Sequence, residues 1–375
     1  MRIVMISDRY PPILGGAERQ AQKLSREMAR RGHRVKVVTG KWSMHVPSHE
    51  VDEGVEVFRL STWNSMGGIR GIRKYAAEVF AHNLARYLRK VGKDADVFHV
   101  HFLRRAAAVA LKVGSELGVP VLVKETSSGE NNSFHTLRNS YRGPWLQSVF
   151  LQNLRHVAVL NAIAEREYAA EPFVDLTIHR VVNGIDVDGD VPVWDPDEQR
   201  PTILYLGSLR EVKGVDQLVE AFLQIAGQRT AWRLRCCGSG DGLEELRRLA
   251  GKSPHGERIE FPGPTPNPLQ ELARASLLVL PSRAEGMSNT LLEAMVVGTP
   301  AVATRVGANP EMLEEGCGWL VDELTPEALA RILLEATDSP EQRRVRSRCA
   351  RERVRCRYTV SIAAERYERV YQSLC

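Results

Sequence analysis

One feature constrains the fold of this 375-residue chain more than any other: short β-branched runs alternate with amphipathic stretches along its whole length. Ile3–Ile6, Val35–Thr39, Val97–Val100, Val121–Val123 and Val157–Leu160 read as strands. Helical spacing lies between them, as in Ala17–Arg31 and Lys74–Lys90. Runs that are apolar throughout belong to strands covered on both faces, which means parallel sheets flanked by helices. The pattern pauses at Asn183–Arg200, NGIDVDGDVPVWDPDEQR, where Asp, Pro and Gly replace any helical period. It resumes with Thr202–Leu206, Arg233–Cys237, Ile259–Phe261, Leu277–Leu280 and Ala301–Thr304. A chain of this length suits two cores rather than one. The expected fold class is therefore α/β, two doubly wound domains joined by a linker. Ligands are expected in the cleft between them, at the carboxyl ends of the strands.

Composition narrows the setting. Apolar residues make up 43% and charged residues 26%, a globular balance. No apolar run approaches the roughly 20 residues of a membrane helix. Met1–Ile6, followed by Ser7 and Asp8, lacks the long apolar stretch of a signal peptide, so a cytoplasmic protein is expected. Cys236, Cys237, Cys317, Cys349, Cys356 and Cys375 show no metal-type spacing and read as reduced thiols. Residues 1–186 hold 27 Lys/Arg against 18 Asp/Glu, or +9, while the remainder holds 24 against 28, or −4. A basic first half suits an anionic membrane, an anionic acceptor, a nucleic acid or plain solvent.

The densest motif is Ala284-Glu285-Gly286-Met287-Ser288-Asn289-Thr290-Leu291-Leu292-Glu293-Ala294-Met295, after the strand Leu277–Leu280. On one continuous helix its two glutamates would stand about 80° apart and roughly 12 Å along the axis. Gly286 and the polar Ser288-Asn289-Thr290 instead predict a helix that starts after Glu285. That leaves Glu285 in the loop and Glu293 in the first turns. Amides at the positive helix end between them could hold an anion. Two carboxylates flanking an anion site suit a nucleotide sugar, with hydroxyls at both ends and a diphosphate between. A second reading makes Thr290-x-x-Glu293 a capping box that serves only the helix.

Here the resemblance becomes specific. EGMSNTLLEAM followed by Gly298-Thr299-Pro300 resembles the Glu-x7-Glu signature of the family-4 retaining glycosyltransferases, nucleotide-sugar-dependent enzymes of two-domain GT-B architecture. The resemblance implies that Glu285 contacts the donor sugar and Glu293 the ribose hydroxyls. It also implies that amides near Ser288, Asn289 and Thr290 hold the diphosphate. Leu206-Gly207-Ser208-Leu209-Arg210-Glu211-Val212-Lys213-Gly214 is similar to the family's Gly-Arg-Leu…Lys-Gly segment. Lys213 matches directly; the usual Arg is Ser208 here, and Arg210 is its substitute. Cations at that place would neutralise a leaving diphosphate.

Tyr10-Pro11-Pro12-Ile13-Leu14-Gly15-Gly16-Ala17-Glu18 resembles the family's N-terminal glycine loop, which implies that Gly15 and Gly16 approach the donor phosphates. Gly238-Ser239-Gly240-Asp241-Gly242 matches its Gly-x-Gly turn. It is not a dinucleotide fingerprint, because Leu243 stands where that pattern needs glycine. Val182-Asn183-Gly184-Ile185-Asp186 looks like the segment that leads into the linker, and Tyr358–Leu374 like a last helix crossing back to the first domain. The implied organisation is two Rossmann-like domains facing each other across a cleft. Residues 1–186 form the acceptor side, 187–200 the linker, 201–357 the donor side and 358–375 the returning helix.

The departure lies after Val121–Val123. Many relatives have a histidine there; this chain reads Lys124-Glu125-Thr126-Ser127-Ser128-Gly129-Glu130. Lys124, Glu125 and Glu130 are candidate acceptor contacts. His99 and His101, on a strand, read as structural residues or a metal pair, and Asp94-Ala95-Asp96 as solvated acids. Metal ligands are thus expected to be none and cofactors none, with the nucleotide sugar as substrate. A UDP-sugar is the favoured donor and GDP-mannose the next. The acceptor is expected to be a carbohydrate, a lipid-linked glycan or a small molecule. No nucleic acid is expected, and the basic segment Ile69–Lys93 is a candidate contact for an anionic membrane. The competing readings are a GT-B-like epimerase or sugar phosphorylase, and a non-catalytic nucleotide-sugar-binding subunit.

Overall fold

A computed structural model describes residues 1–12, 15–63, 75–137, 143–195 and 201–375. The chain divides into two compact units, Met1–Gly184 with Val360–Cys375, and Ile185–Thr359.

The first unit is built on eight strands. They are β1 (Arg2–Ser7), β2 (Arg34–Lys41), β3 (His49–Asp52), β4 (Val55–Ser61), β5 (Val97–His101), β6 (Val121–Lys124), β7 (His156–Val159) and β8 (Thr177–Arg180). Their spatial order is β3-β4-β2-β1-β5-β6-β7-β8. Only β3 runs antiparallel to its neighbour. The hairpin joining β3 to β4 turns at Glu53 (φ 47°) and Gly54 (φ 84°), and two left-handed residues match the twist of such a turn. Neither strand of this hairpin stands among the expected strands. Val55 and Val57 are buried while Glu56 between them is not, a period-2 pattern unlike the solid apolar runs. Chain order reverses between β1 and β5, which makes the carboxyl ends of these strands the switch point.

Helices α1 (Gly16–Arg30), α2 (Ala76–Val91), α3 (Arg105–Leu117), α4 (Ser133–Thr136), α5 (Gly143–Asn153) and α6 (Ala162–Ala170) cover the sheet. α2 buries Phe80, Leu84 and Leu88 in the core, so the apolar face of the basic segment belongs to the fold itself. Residues 69–74 of that segment lie outside the described residues. The C-terminal helix, Val360–Leu374, packs on the same unit. Its Glu368 takes Arg31 at 2.9 Å and His33 at 2.7 Å, and its Tyr367 and Tyr371 are buried beside Ile3 and Met5.

The second unit carries six parallel strands: β9 (Thr202–Leu206), β10 (Arg233–Cys237), β11 (Ile259–Glu260), β12 (Leu277–Leu280), β13 (Ala301–Thr304) and β14 (Trp319–Val321). Their order is β11-β10-β9-β12-β13-β14, with the reversal between β9 and β12. Helices α7 (Val215–Ile225), α8 (Leu243–Ala250), α9 (Pro268–Arg274), α10 (Asn289–Val297), α11 (Asn309–Leu313), α12 (Pro326–Asp338) and α13 (Pro340–Arg357) flank them. β12 and β13 are buried at every position. Trp194, within the expected linker, is buried on this unit, and its indole donates to the Ala275 carbonyl at 2.8 Å. The expectation of six reduced thiols needs correction. Cys317 and Cys349 form a disulfide, because the turn before β14 and helix α13 bring their Cα atoms within 4.9 Å. Among the described residues, no helix is long and apolar enough to cross a membrane.

Candidate active site

In the second unit the two loops at the switch point follow β9 and β12, and they are laced together. After β9 the chain makes a short turn, Glu211–Lys213, and enters α7 through Gly214. Gly214 has φ 62°, and a Cβ there would stand 2.0 Å from the Pro281 carbonyl oxygen of the other loop. Only glycine allows that approach. The Arg283 amide donates to the Val212 carbonyl at 2.9 Å. Its guanidinium takes both oxygens of Asp216, at 3.0 and 2.7 Å, and the Glu211 carbonyl at 2.5 Å.

Within this frame Lys213 Nζ lies 2.5 Å from Glu285 Oε1, and the Ser282 hydroxyl donates to the same oxygen at 2.8 Å. Glu285 is thus a loop residue, fixed in direction by a cation and a hydroxyl. Arg210 is exposed, and its Nε meets the Ser208 hydroxyl at 3.3 Å. Tyr205, buried beneath, donates to the Ser208 carbonyl at 2.7 Å, and burial together with the nearby Glu285 charge raises its phenol pKa. Gly238 closes the other side: a Cβ there would stand 1.7 Å from the Gly207 carbonyl oxygen. The structure therefore brings Arg210, Lys213, Ser208, Gly238 and Glu285 into one region.

Helix α10 begins at Asn289. Its N-cap is Ser288, whose hydroxyl accepts the Leu291 amide at 3.2 Å. The capping-box reading of Thr290 and Glu293 fails for this reason: Thr290 is already inside the helix. Glu293 is half-buried a turn further on. Asn289 and Thr290 form the first turn, at the positive end of the helix dipole.

Two supporting elements escaped the sequence reading. Arg283 looks like any solvated arginine beside a turn, and its partner Asp216 is remote in sequence. Gly307, at φ 56°, would place a Cβ 2.5 Å from the Glu285 carbonyl oxygen and 2.6 Å from that of Gly286. The next amide, Ala308, donates to the Gly286 carbonyl at 2.9 Å, so this turn backs the Glu285 loop. The available signal was a glycine between a strand and the Asn309-Pro310 helix start.

The first unit behaves differently. Gly15 is the N-cap of α1, in extended conformation and with no side-chain cap, and Gly16 is the first helical residue. Ile13 and Leu14 lie outside the described residues. Glu125 is fully buried and accepts five hydrogen bonds: the amides of Thr126, Ser127 and Ser133 and the hydroxyls of Ser133 and Tyr168, all between 2.8 and 3.1 Å. Burial pushes its carboxyl up, against the pull of those donors. Its position makes it the organiser of the loop rather than a group that reaches outward. Lys124 is buried too, with Nζ 2.8 Å from Asn183 Oδ1 and 5.6 Å from the centre of the Tyr367 ring. Burial lowers its ammonium to about 7. The side chain of Glu130 lies outside the described residues.

His99 and His101 stack at 4.5 Å, with His99 Nδ1 2.6 Å from the Tyr371 hydroxyl. Burial holds both far below the ordinary imidazole value. Asp96 is bound to Arg2 at 2.9 Å, with Asp94 on the same guanidinium at 3.9 Å.

Two doubly wound units in one chain, the second with its switch point between β9 and β12, are the parts of a protein of the GT-B class. The fold agrees with solved structures. Sucrose-phosphate synthase from Thermosynechococcus elongatus has a TM-score of 0.81 at 20% identity, covering 100% of this chain and 99% of that one. Anabaena HepE in complex with UDP-glucose has a TM-score of 0.78 at 16% identity, covering 100% of both chains. Among proteins similar in sequence, N-acetyl-alpha-D-glucosaminyl L-malate synthase of Bacillus anthracis is 24% identical over 96% of this chain and 94% of its own. The "Glycosyl transferase 4-like domain" matches residues 15–184, and "Glycosyl transferases group 1" matches residues 188–353. The chain belongs to the group 1 glycosyltransferases, and it is an enzyme of that family.

Proposed function

We propose that this enzyme transfers a sugar, with retention at the glycosidic carbon, from a UDP-sugar to an acceptor hydroxyl in glycan biosynthesis. One observation carries the reading: Lys213, Glu285 and the exposed Arg210 stand at the β9/β12 switch point, beside the start of α10. In this reading the bond between the sugar carbon and the diphosphate oxygen breaks, and the electron pair leaves with the diphosphate. Arg210, Lys213 and the first-turn amides of α10 stabilise that charge, and fixed charges of this kind contribute strongly to rate. The Glu285 carboxylate lies toward the sugar, where the carbon turns cationic. The acceptor oxygen forms the new bond on the same face, and its proton passes to the departing phosphate oxygen. Glu293 takes the ribose hydroxyls, and Ser288, Asn289, Thr290, Ser208, Gly238, Gly15 and Gly16 shape the donor site.

The donor preference draws on HepE, whose structure holds UDP-glucose. Thermal shift with UDP- and GDP-sugars tests it, since a ligand at a hundred times its Kd stabilises by about 2.7 kcal/mol. A positive shift with UDP-sugars and release of UDP only when acceptor is present support transfer. Product formation without acceptor would instead indicate an epimerase, and consumption of inorganic phosphate a phosphorylase. Tight donor binding with no turnover would indicate a binding subunit. We place the enzyme in the cytoplasm, at the inner face of the membrane, held there by the basic face of α2 around Arg86 and Lys90. Equal sedimentation with neutral and anionic vesicles would remove that placement.

A further inference from the structure

The two loops of the candidate site meet at one side chain. Arg283 lies in the loop after β12, next to Ser282 and two residues before Glu285. Its four hydrogen bonds cross to the other loop and the helix that follows it: the guanidinium to the Glu211 carbonyl and both Asp216 oxygens, and the amide to the Val212 carbonyl. These partners stand on both sides of Lys213 in the chain. The turn that carries Lys213 is closed by its own bonds, Lys213 N to the Arg210 carbonyl at 2.8 Å and Gly214 N to the Glu211 carbonyl at 2.9 Å. The Glu211 carbonyl thus serves the turn and Arg283 together. On the opposite side, Ser282 donates to Glu285, and its own carbonyl takes the Thr304 hydroxyl at 2.6 Å. Arg283 therefore joins the backbone that carries Lys213 to the backbone that carries Glu285. The Gly214–Pro281 contact sets how closely the loops approach, but packing alone does not stop one loop from sliding along the other. Directional hydrogen bonds do.

The pair contributes little to folding. Arg283 and Asp216 keep 37% and 35% of their side chains exposed, and ion pairs so open to water are weak stabilisers. Its bidentate geometry, however, fixes direction as well as distance. Burial would raise the Asp216 carboxyl, yet the bonds from Arg283 and Gln217 hold it below its ordinary value, so the pair is charged at neutral pH. Position is what such a pair supplies. Lys213 Nζ rests on Glu285 at 2.5 Å and, on the transferase reading, turns to the diphosphate. Lysine is a point charge on a flexible stem. It reaches a ligand by side-chain rotation alone only when its backbone is held still.

We propose that Arg283 is a positioning residue for the leaving-group cation: by tying residues 211–216 to the Glu285 loop, it holds Lys213 where the lysine can serve the diphosphate. This rests on the transferase reading above. Arg283 acts through Lys213 and does not touch the phosphates, because its own guanidinium is taken by Asp216 and Glu211. Preorganised charge of this kind is effective because nothing has to move when the bond breaks.

The test is calorimetric titration of the full chain with UDP and with uridine. Uridine lacks the phosphates, so the ratio of the two affinities reports on the phosphate cations, whereas a general loosening of the fold moves both ligands together. Lys213→Ala should lower the ratio at least about tenfold, as expected of a lost charge-assisted contact. Arg283→Met should lower it at least about threefold, with uridine affinity within about twofold of the parent and a melting midpoint within about 2 °C. In a Lys213→Ala background, Arg283→Met should change the ratio by less than about 1.5-fold, since the two residues act as one unit. Asp216→Asn alters no backbone group. It should reproduce the Arg283→Met loss in weaker form and add nothing to it, and it carries the same test if Arg283→Met does not fold. Three results would overturn the role: an unchanged ratio in Arg283→Met, a comparable loss in the Lys213→Ala background, or a parallel loss of both ligands. The second would make Arg283 a phosphate ligand in its own right, and the third a structural residue only. A parent that takes GDP instead is tested with GDP and guanosine. Protein that binds neither nucleotide sinks the donor reading, and this role with it. Protein that favours UDP over uridine through Lys213, yet ignores Arg283→Met, sinks the positioning role alone.

Discussion

The two units use carboxylates at the ends of parallel strands in opposite ways. In the second, Glu285 keeps 13% of its side chain exposed and is turned toward Lys213 and Ser282. In the first, Glu125 turns inward and is saturated by five donors from its own loop and from Tyr168. One carboxylate is paired with a cation, for which a diphosphate would compete on the proposed reading. The other is a fixed structural anion that shapes its loop. Burial and the number of donors decide which role a strand-end glutamate takes, and its position in the chain does not.

The largest effect that would break this contrast concerns rate. Glu285→Gln keeps the shape of the side chain and removes its charge, so turnover should fall by about 10²–10³. Nucleotide affinity should change by no more than a few fold. Glu293→Ala should do the reverse and weaken bare UDP. Steady-state kinetics paired with nucleotide titration decide the matter: normal turnover of Glu285→Gln, or loss of UDP binding by it alone, ends the assignment.

The same substitution in the first unit should act on stability. Glu125→Gln places an amide nitrogen among hydroxyl and amide donors and leaves at least one buried group unpaired. A loss of about 3 kcal/mol is expected, since hydrogen bonds to a charged group contribute roughly 1.5–3 kcal/mol each. Denaturant unfolding measures it. UDP binding to the folded protein should be unchanged; a loss of UDP binding without a loss of stability would make Glu125 a donor-site residue.

Much of this was legible in the sequence, and for local reasons. Solid apolar runs marked β9, β12 and β13, and Gly286 with Ser288-Asn289-Thr290 marked the start of α10. Glycine and capping chemistry act within a few residues, so a linear reading captures them. The inward turn of Lys124 and Glu125 could not be read, because a polar pair at a strand end has the same pattern whether it faces a core or a ligand. The Arg283–Asp216 clip and the Cys317–Cys349 bond join residues 67 and 32 positions apart, and only the folded packing makes them neighbours.

Buried Lys124 gives a smaller effect, confined to the first unit. Its folded ammonium titrates at about 7, against 10.5 ordinarily. Between pH 7 and 9 the unfolded chain therefore holds the proton more often than the folded chain, and stability rises with pH. The gain is about 2 kcal/mol over that interval. His99 and His101 lie far below this window and Tyr367 above it, while the buried thiols of Cys236 and Cys237 act in the opposite direction within it, so only the difference between parent and variant isolates Lys124. Lys124→Met should flatten the rise, measured as the difference between the two proteins by urea unfolding at pH 7 and 9. Parallel slopes would show that Lys124 titrates normally.

The smallest expected effect is that of a chelator. A departing diphosphate needs about two units of positive charge near it. The second unit offers Arg210 and Lys213 from one loop and the first turn of α10 from the other. Lys213 is held by Glu285 at 2.5 Å, and on the proposed reading it turns to the phosphate when the donor binds, with no recruited ion. Of the acidic pairs with the spacing of a metal-binding motif, Asp94 and Asp96 are bound to Arg2 in the first unit, and Asp186/Asp188 and Asp188/Asp190 lie in the linker region. Turnover after exhaustive dialysis against EDTA should therefore stay within about twofold of the untreated enzyme. Lys213→Ala should then make the enzyme newly responsive to Mg²⁺, because a divalent ion can partly replace the missing charge at the phosphates. A parent enzyme that loses activity on chelation and regains it only with Mg²⁺ or Mn²⁺ would show that the protein's own cations do not suffice. The contrast between an open, cation-supplied second unit and a closed, acid-braced first unit would then have to be redrawn around a metal.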